Sequence, residues 1–215
     1  MEKPPPCLVP AAPAAVAAAL DRSWPDARCG LYARDDWELL VAAILSARAT
    51  DVQVNKVMAV LMEHVVSVAG LAALDHRDLA RVLRRLPLYP QKARALVEAA
   101  RALLVHHDGK VPRSREALER LPGVGRKVAA VVLGNGFGIP AVAADVHVTR
   151  IAFRLGWTAQ ELPRAAETAV EARFPAQEWV RRCHQLIRLG REHCRRQAPR
   201  CERCPLCADC PRQGV

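Results

Sequence analysis

A tight glycine-containing turn, followed directly by a helix-compatible run, is the feature that most constrains the fold of this chain of 215 residues. The turn is the segment 121–125, Leu-Pro-Gly-Val-Gly, and the run begins at Arg126. Two glycines separated by one residue allow close backbone approach, and the N–H groups at a helix start can face an anion such as a phosphate. The predicted phosphate contacts are Gly123, Val124, Gly125 and Arg126.

A lysine and an aspartate stand beside this turn. Lys127 lies in the first turn of the predicted helix, and Asp145 opens another apolar-periodic run 18 residues later. The chain has 27 Arg and only 5 Lys, so positive charge alone is usually supplied by Arg. Lys, unlike Arg, can lose its proton and form a Schiff base. An amine and a carboxylate beside a phosphate-binding turn suggest chemistry on a DNA sugar carbon.

Both residues also have a purely structural interpretation. Lys127 could be a solvated lysine that only contacts phosphate. Asp145 stands directly before Val146-His147-Val148, where Asp is a natural helix N-cap. For Asp145 the two roles are compatible, because a helix N-terminus stabilises an ionised carboxylate.

The composition points to a polyanionic partner. A formal net charge of +10 and a pI of about 9.7 favour nucleic acid over a basic surface that binds nothing. No apolar run reaches the ~18 residues of a membrane-spanning helix. The Pro-interrupted start lacks the basic segment of a signal peptide. These observations predict a cytoplasmic, nucleoid-associated protein.

Helical periodicity dominates the chain, and no convincing pair of strands is present. A capping box from Thr50 to Gln53 marks one helix start, and no long linker is expected beyond the first dozen residues. The apolar faces are Leu39, Leu40, Ala43, Ile44 and Ala47; Val54, Val57, Met58, Leu61 and Val65; and Leu96, Val97, Ala100, Leu103 and Leu104. Further helices are predicted near 13–22, 75–85, 114–120, 126–134, 146–156, 164–173 and 177–189.

Five of the eight cysteines crowd into the last 22 residues, which indicates metal ligands rather than disulfides. Cys194, Cys201, Cys204 and Cys210 have the spacing C-x6-C-x2-C-x5-C, which fits a thiolate-bound centre in a reducing compartment. Zinc is a rival to iron–sulfur, because zinc sites built from four cysteines also use C-x2-C pairs. Cys207 leaves a second set open, since the cysteines from 201 to 210 are evenly spaced.

The segment 181–203 is strongly basic, with eight Arg against two Glu. A structural cluster would hold this segment against a DNA backbone. The candidate phosphate contacts are Arg195, Arg196 and Arg200.

Together these residues resemble the endonuclease III family of DNA glycosylase/AP lyases, the helix-hairpin-helix branch with a [4Fe–4S] cluster. The resemblance covers about Trp37 to Cys210. LPGVGRK is similar to the family's hairpin with its Schiff-base lysine, here Lys127, and VAADVH to the segment with its catalytic aspartate, here Asp145. The resemblance implies that Cys194, Cys201, Cys204 and Cys210 bind the cluster and that Cys207 does not. LSARATDVQVNK resembles a DNA-facing helical segment, and LYPQKA a loop whose leucine, here Leu88, wedges into the duplex.

The resemblance implies an all-α, two-domain fold. A six-helix barrel with the hairpin would span 29–139, and a cluster domain would combine 1–28 with 140–215. DNA would lie across a cleft between them. The implied activity is that of a monomeric enzyme that removes oxidised pyrimidines through a lysine Schiff base and cuts duplex DNA by β-elimination.

Three departures from the family pattern make a weak or narrowed activity conceivable. Arg48 stands where the family commonly has Gln, at the gap left by the flipped base. Pro87 and Pro90 stiffen the wedge loop. Gly134-Asn135-Gly136 is expected to weaken the end of the hairpin's second helix.

Two rival functions remain. One is a mismatch-adenine glycosylase of the same superfamily, which uses a Glu on an early helix; Lys127 argues against it, and Glu38 falls too early. The other is a non-catalytic DNA-binding iron–sulfur protein, which would keep the hairpin, the charge and the cysteines.

Overall fold

A computed structural model describes residues 9–215, and this part of the chain forms helices and no strands. The all-α prediction is therefore confirmed. Residues 1–8, which begin the segment interpreted above as lacking the features of a signal peptide, lie outside the described residues. None of the helices in residues 9–215 has the length and apolar character to span a bilayer.

The chain divides into two compact units. The first, called here the hairpin unit, is Cys29–Ile139. The second, called the cysteine unit, joins Pro140–Val215 to the described part of Met1–Arg28.

The hairpin unit contains seven helices, of which the last two flank the glycine turn. Their bounds are α2 Asp36–Leu45, α3 Asp51–His64, α4 Val68–Ala73, α5 His76–Leu83, α6 Tyr89–His107, α7 Arg115–Glu119 and α8 Arg126–Gly136. Buried aliphatic side chains fill its interior, among them Leu40, Leu61, Leu79, Leu96 and Leu118.

The cysteine unit contains four α-helices and two short 3₁₀ turns among its described residues. The helices are α1 Pro13–Ser23, α9 Val146–Arg154, α10 Pro163–Glu171 and α11 Trp179–Glu192, and the turns are Ala176–Glu178 and Cys201–Arg203. Its core includes Val16, Leu20, Val148, Ile151 and Leu186, and three of the tail cysteines, Cys194, Cys204 and Cys210, pack against it.

Side-chain caps explain where many of these helices begin. The predicted capping box between Thr50 and Gln53 is confirmed at the start of α3. Asp35, Ser67, Asp75, Ser114 and Asp145 each accept a backbone N–H at the start of α2, α4, α5, α7 and α9. Each such cap stabilises a helix by about 0.5–2 kcal/mol.

Two local expectations were wrong. Ala47 and Leu104 are exposed rather than buried, because α2 ends at Leu45 and because Leu104 faces away from the core of its unit. Helix α8 continues to Gly136, two residues beyond its predicted end near residue 134. A Cβ on Gly136 would come within 2.8 Å of Asp36 Oδ1 and 3.3 Å of Leu39 Cδ2, so the glycine favours close packing of α8 against α2.

Candidate functional site

The glycine turn is anchored in the hairpin unit through Val124, which is 5% exposed. Its backbone closes with hydrogen bonds from Leu121 N–H to the Leu118 carbonyl and from Val124 N–H to the Leu121 carbonyl, both 3.0 Å. Gly123 has a φ of +78°, and a Cβ there would lie 2.8 Å from the Ala95 Cβ of α6. Gly123 is therefore required by the turn and by its packing.

Gly125 is not required by the packing of its own unit. Its φ of −100° is open to any residue, and in residues 9–215 nothing lies within 4 Å of a Cβ built on it. No described side chain caps α8, which begins directly after Gly125. The exposed backbone at this helix N-terminus can therefore accept an anion from solvent.

Lys127 is exposed in the first turn of α8. Its charge acts on the thiol of Cys29. Burial raises the pKa of this thiol, the Asp51 carboxylate raises it as well, and the Lys127 ammonium lowers it. Cys29 and Asp51 therefore lie near the candidate nucleophile. Sequence reasoning did not single them out, although Asp51 lies within the segment predicted to face DNA.

The two residues predicted to enter the duplex both have left-handed backbones. Arg48 has a φ of 54° and Leu88 a φ of 58°, and both side chains are exposed. A positive φ is uncommon for residues other than glycine and often marks functional sites. The glycine turn approaches Ile44 of α2 and Ala95 of α6. Arg48 follows the C-terminal end of α2, and Leu88 is the N-cap of α6.

Asp145 is the N-cap of α9 in the cysteine unit, which confirms its structural interpretation. One carboxylate oxygen, Oδ1, accepts hydrogen bonds from the backbone N–H groups of His147 at 2.8 Å and Val148 at 2.9 Å. Both contacts end on Oδ1, so Oδ2 is the oxygen that can face a substrate. The N-cap role holds the carboxylate in one orientation.

Helix α9 is tied to the cysteine tail by two arginines that sequence reasoning missed. Arg150 donates to the Cys194 carbonyl from Nε at 2.9 Å and Nη2 at 2.7 Å. Arg154 donates from Nη1 to the Cys194 thiol at 3.4 Å and to the Arg195 carbonyl at 2.6 Å. Both arginines are buried. Their spacing of four residues on one helix face was the available sequence signal.

The tail cysteines converge. Cys194, Cys201, Cys204, Cys207 and Cys210 line one small cavity, and all five are free thiols. Burial, together with the neighbouring Cys194, Cys210 and Cys201, raises the pKa of Cys204 to about 11. Cys207 Sγ accepts a hydrogen bond from Arg212 Nη2 at 3.1 Å, as Cys194 Sγ does from Arg154.

The donor set of this cavity fits an iron–sulfur cluster. Thiolates are soft ligands that hold such clusters. The five thiols line the wall of one shared cavity. His193 adds a buried Nδ1 that has no hydrogen-bond partner in the described chain.

The three basic candidates of the tail, Arg195, Arg196 and Arg200, are all exposed. The segment that carries them folds back onto His193, whose carbonyl accepts from the N–H groups of Arg195 and Arg200, both at 2.9 Å. Arg196 also forms an ion pair with Glu161 at 2.9 Å. The segment therefore presents its cations on a fixed backbone.

Comparison with known proteins gives consistent matches. Residues 41–176 match the HhH-GPD superfamily of base excision DNA repair proteins. Endonuclease III of Bacillus subtilis (strain 168) is 38% identical over 194 residues, which cover 89% of this chain and 87% of that protein.

Solved structures show the same fold. A trapped covalent intermediate of endonuclease III with DNA, in an estranged-adenine complex, matches with a TM-score of 0.88 and 38% identity, covering 92% of this chain and 95% of that one. A thermostable thymine-DNA glycosylase matches with a TM-score of 0.78 and 25% identity, covering 92% and 94%.

Proposed function

The chain belongs to the endonuclease III family of the HhH-GPD superfamily, and from this membership we propose that it is a DNA glycosylase and AP lyase of base excision repair. The observation that carries the proposal is the exposed Lys127 at the uncapped start of α8, directly after a glycine that leaves open space. A phosphate held at this helix start would bring the neighbouring sugar to the amine.

Binding begins with the DNA backbone. The turn at Gly123, Val124 and Gly125 and the first residue of α8, Arg126, contact phosphates on one side of the lesion. Damaged nucleotides must leave the base stack, at a cost of a few kcal/mol. Leu88 fills the vacancy on one side and Arg48 on the other, both from backbones that are already fixed.

Lys127 then attacks the sugar. Its neutral Nζ forms a bond to C1′ while the glycosidic bond breaks, and the electron pair leaves with the base, which takes up a proton. Positive charge develops on the sugar in such transfers. The Asp145 carboxylate, free at Oδ2, stabilises that charge or assists the proton transfer.

The covalent intermediate explains strand cleavage. The bond between C1′ and the ring oxygen O4′ then breaks, and O4′ takes up a proton that Nζ has lost. The product is a protonated Schiff base between Lys127 Nζ and C1′. Removal of a C2′ proton then expels the 3′ phosphate, which cuts the strand by β-elimination. Hydrolysis of the Schiff base returns the amine.

The cysteine unit is proposed to hold a [4Fe–4S] cluster on Cys194, Cys201, Cys204 and Cys210. Electrostatic interactions join these four thiols to one another, and Cys207 is not among them. The cluster supplies a structural cross-link that fixes the segment bearing Arg195, Arg196 and Arg200. Iron analysis tests the assignment: Cys207→Ser should keep the iron, and Cys204→Ser should lose it.

Oxidised pyrimidines in duplex DNA are the proposed substrates, with the protein acting as a monomer on nucleoid DNA in the cytoplasm. Purified protein should release base and cut the strand on oligonucleotides with an oxidised pyrimidine or an abasic site. Activity restricted to mismatched adenine would favour the rival glycosylase. Binding without any cleavage would favour the non-catalytic iron–sulfur protein, whose best support is the presence of Arg48, Pro87 and Pro90.

A further inference from the structure

His193 carries a polar atom that the proposed function does not use. Its ring lines the cavity of the five tail cysteines, and its Nδ1 is buried without a hydrogen-bond partner among residues 9–215. Buried polar atoms almost always have a partner in native proteins. The missing partner of Nδ1 must therefore be sought in what fills the cavity.

The position of His193 is fixed from several directions. Its N–H donates to the Leu189 carbonyl at 2.9 Å at the end of α11. Its ring packs against Trp24 with centroids 6.1 Å apart, and the Trp24 indole is held by a hydrogen bond to Glu192 Oε2 at 3.1 Å. These contacts hold His193 at the wall of the cavity, with Nδ1 buried.

The chemistry of the cavity identifies the acceptor. The other side chains that line it are those of Cys194, Cys201, Cys204, Cys207, Cys210, Arg154, Arg212 and Val215. Guanidinium groups only donate, and the valine side chain is apolar, so for an Nδ1 that carries the ring proton sulfur is the only acceptor that these side chains offer. Four thiolates complete the ligation of a [4Fe–4S] cluster, which leaves no iron for a histidine nitrogen.

We propose that His193 donates a hydrogen bond from Nδ1 to a sulfur of the iron–sulfur centre, an inference that rests on the proposed cluster. Arg154 already donates to the Cys194 thiol at 3.4 Å, so His193 supplies a second donor to the same centre. Hydrogen bonds to cluster sulfurs stabilise the more negative, reduced form and raise the reduction potential. His193 is thus a positioning and tuning residue rather than a ligand.

The test compares the intact wild-type protein with His193→Leu, which cannot donate, and His193→Gln, which can. Iron and sulfide content and visible absorption are measured first, then the reduction potential by protein-film voltammetry. We expect His193→Leu to keep the cluster and to make its one-electron reduction about tenfold less favourable, a fall of about 59 mV. His193→Gln should restore part of the shift. His106→Leu, which removes an exposed histidine on α6, should leave the potential unchanged.

A second measurement covers the case in which His193→Leu fails to assemble. Wild-type protein labelled with ¹⁵N-histidine should show a nitrogen coupling to the paramagnetic cluster in pulsed EPR, and His193→Gln should lack it. Wild-type protein without iron and sulfide would overturn the proposed cofactor and the inference together. A loaded cluster with an unchanged potential in His193→Leu, or without nitrogen coupling in wild type, would overturn the role of His193 alone.

Discussion

Arg150 holds the main chain of Cys194 with two hydrogen bonds, from Nε at 2.9 Å and from Nη2 at 2.7 Å to the same carbonyl oxygen. Nη2 also lies 3.2 Å from the Gly190 carbonyl and 3.0 Å from His147 Nδ1. The guanidinium thus joins the helix that begins after Asp145 to the first proposed cluster ligand. This link is local to the cysteine unit and spans 44 residues of sequence.

Arg150→Met should therefore weaken the cysteine unit. The substitution keeps most of the buried volume but leaves the Cys194 carbonyl without its donor, at a cost of about 1–3 kcal/mol. We expect the free energy of unfolding to fall by about 1–3 kcal/mol and the iron content to decrease. Urea denaturation and iron analysis measure both. Arg188→Met, which breaks only an exposed ion pair with Glu192, is the matched control and should cost less than about 1 kcal/mol. Equal effects of the two changes would contradict the assigned role.

Substitutions of the two turn glycines should have different effects: Gly123→Ala on stability and Gly125→Ala on DNA affinity. Gly123→Ala places a side chain at a φ of +78° and 2.8 Å from Ala95 Cβ, so the free energy of unfolding should fall by about 1–3 kcal/mol. A Cβ added by Gly125→Ala has no atom of the described residues within 4 Å, so this change should lower the free energy of unfolding by less than about 1 kcal/mol. Its affinity for abasic duplex should nevertheless fall at least ~10-fold, since one good contact is worth about 1.4 kcal/mol. Unchanged DNA affinity in Gly125→Ala would mean that the phosphate binds elsewhere.

Lys92 should be a source of instability. The side chain is 4% exposed, and its Nζ has no hydrogen-bond partner in the chain from residue 9 onward. Lys92→Met should raise the free energy of unfolding at pH 7 by about 1–3 kcal/mol. Lys110→Met, at an exposed position, should change it by less than about 0.5 kcal/mol.

The gain from Lys92→Met should depend on pH. Burial lowers the pKa of Lys92, so folding disfavours the protonated amine, and wild-type stability should recover as pH rises towards the pKa of the unfolded chain. The difference between Lys92→Met and wild type should therefore shrink towards pH 10. A difference that stays constant or grows would show that Lys92 has a partner.

Asp21 should stabilise the cysteine unit in mild acid. A hydrogen bond from Arg182 is the main cause that lowers the pKa of Asp21 from 3.8 to about 2, with Arg182 Nη1 2.6 Å from Oδ1. The folded pKa is depressed, so the stabilisation is present above pH 4 and is lost as pH falls towards 2. The carboxylate is partly exposed, so we expect about 1 kcal/mol after screening. Asp21→Asn should flatten that part of the stability profile, whereas Asp26→Asn, at an exposed position, should not.

Local signals in the sequence predicted the parts of the fold and site that depend on short segments. The glycine turn, the capping box at Thr50 and the N-cap at Asp145 each follow from a few adjacent residues, and the cysteine spacing singled out thiols that the structure brings to one cavity. Contacts between distant segments were not predictable. Nothing near Arg150 in the sequence points to Cys194. The exposure of Leu104 depends on which side of its helix the neighbouring helices cover. The left-handed backbones of Arg48 and Leu88 are likewise imposed by tertiary structure.

The central claim is that Lys127 is the covalent nucleophile. The most direct measurement is borohydride trapping of the protein on abasic duplex DNA, because borohydride reduces a Schiff base to a stable amine. Wild-type protein should form the covalent adduct, and Lys127→Gln should form none while it still binds DNA through the turn and the basic tail. Lys110→Gln, at an exposed position, is the matched control and should trap normally. Asp145→Asn should slow base excision by at least ~10²-fold. If Lys127→Gln traps as efficiently as wild type, another amine is the nucleophile and the account is wrong.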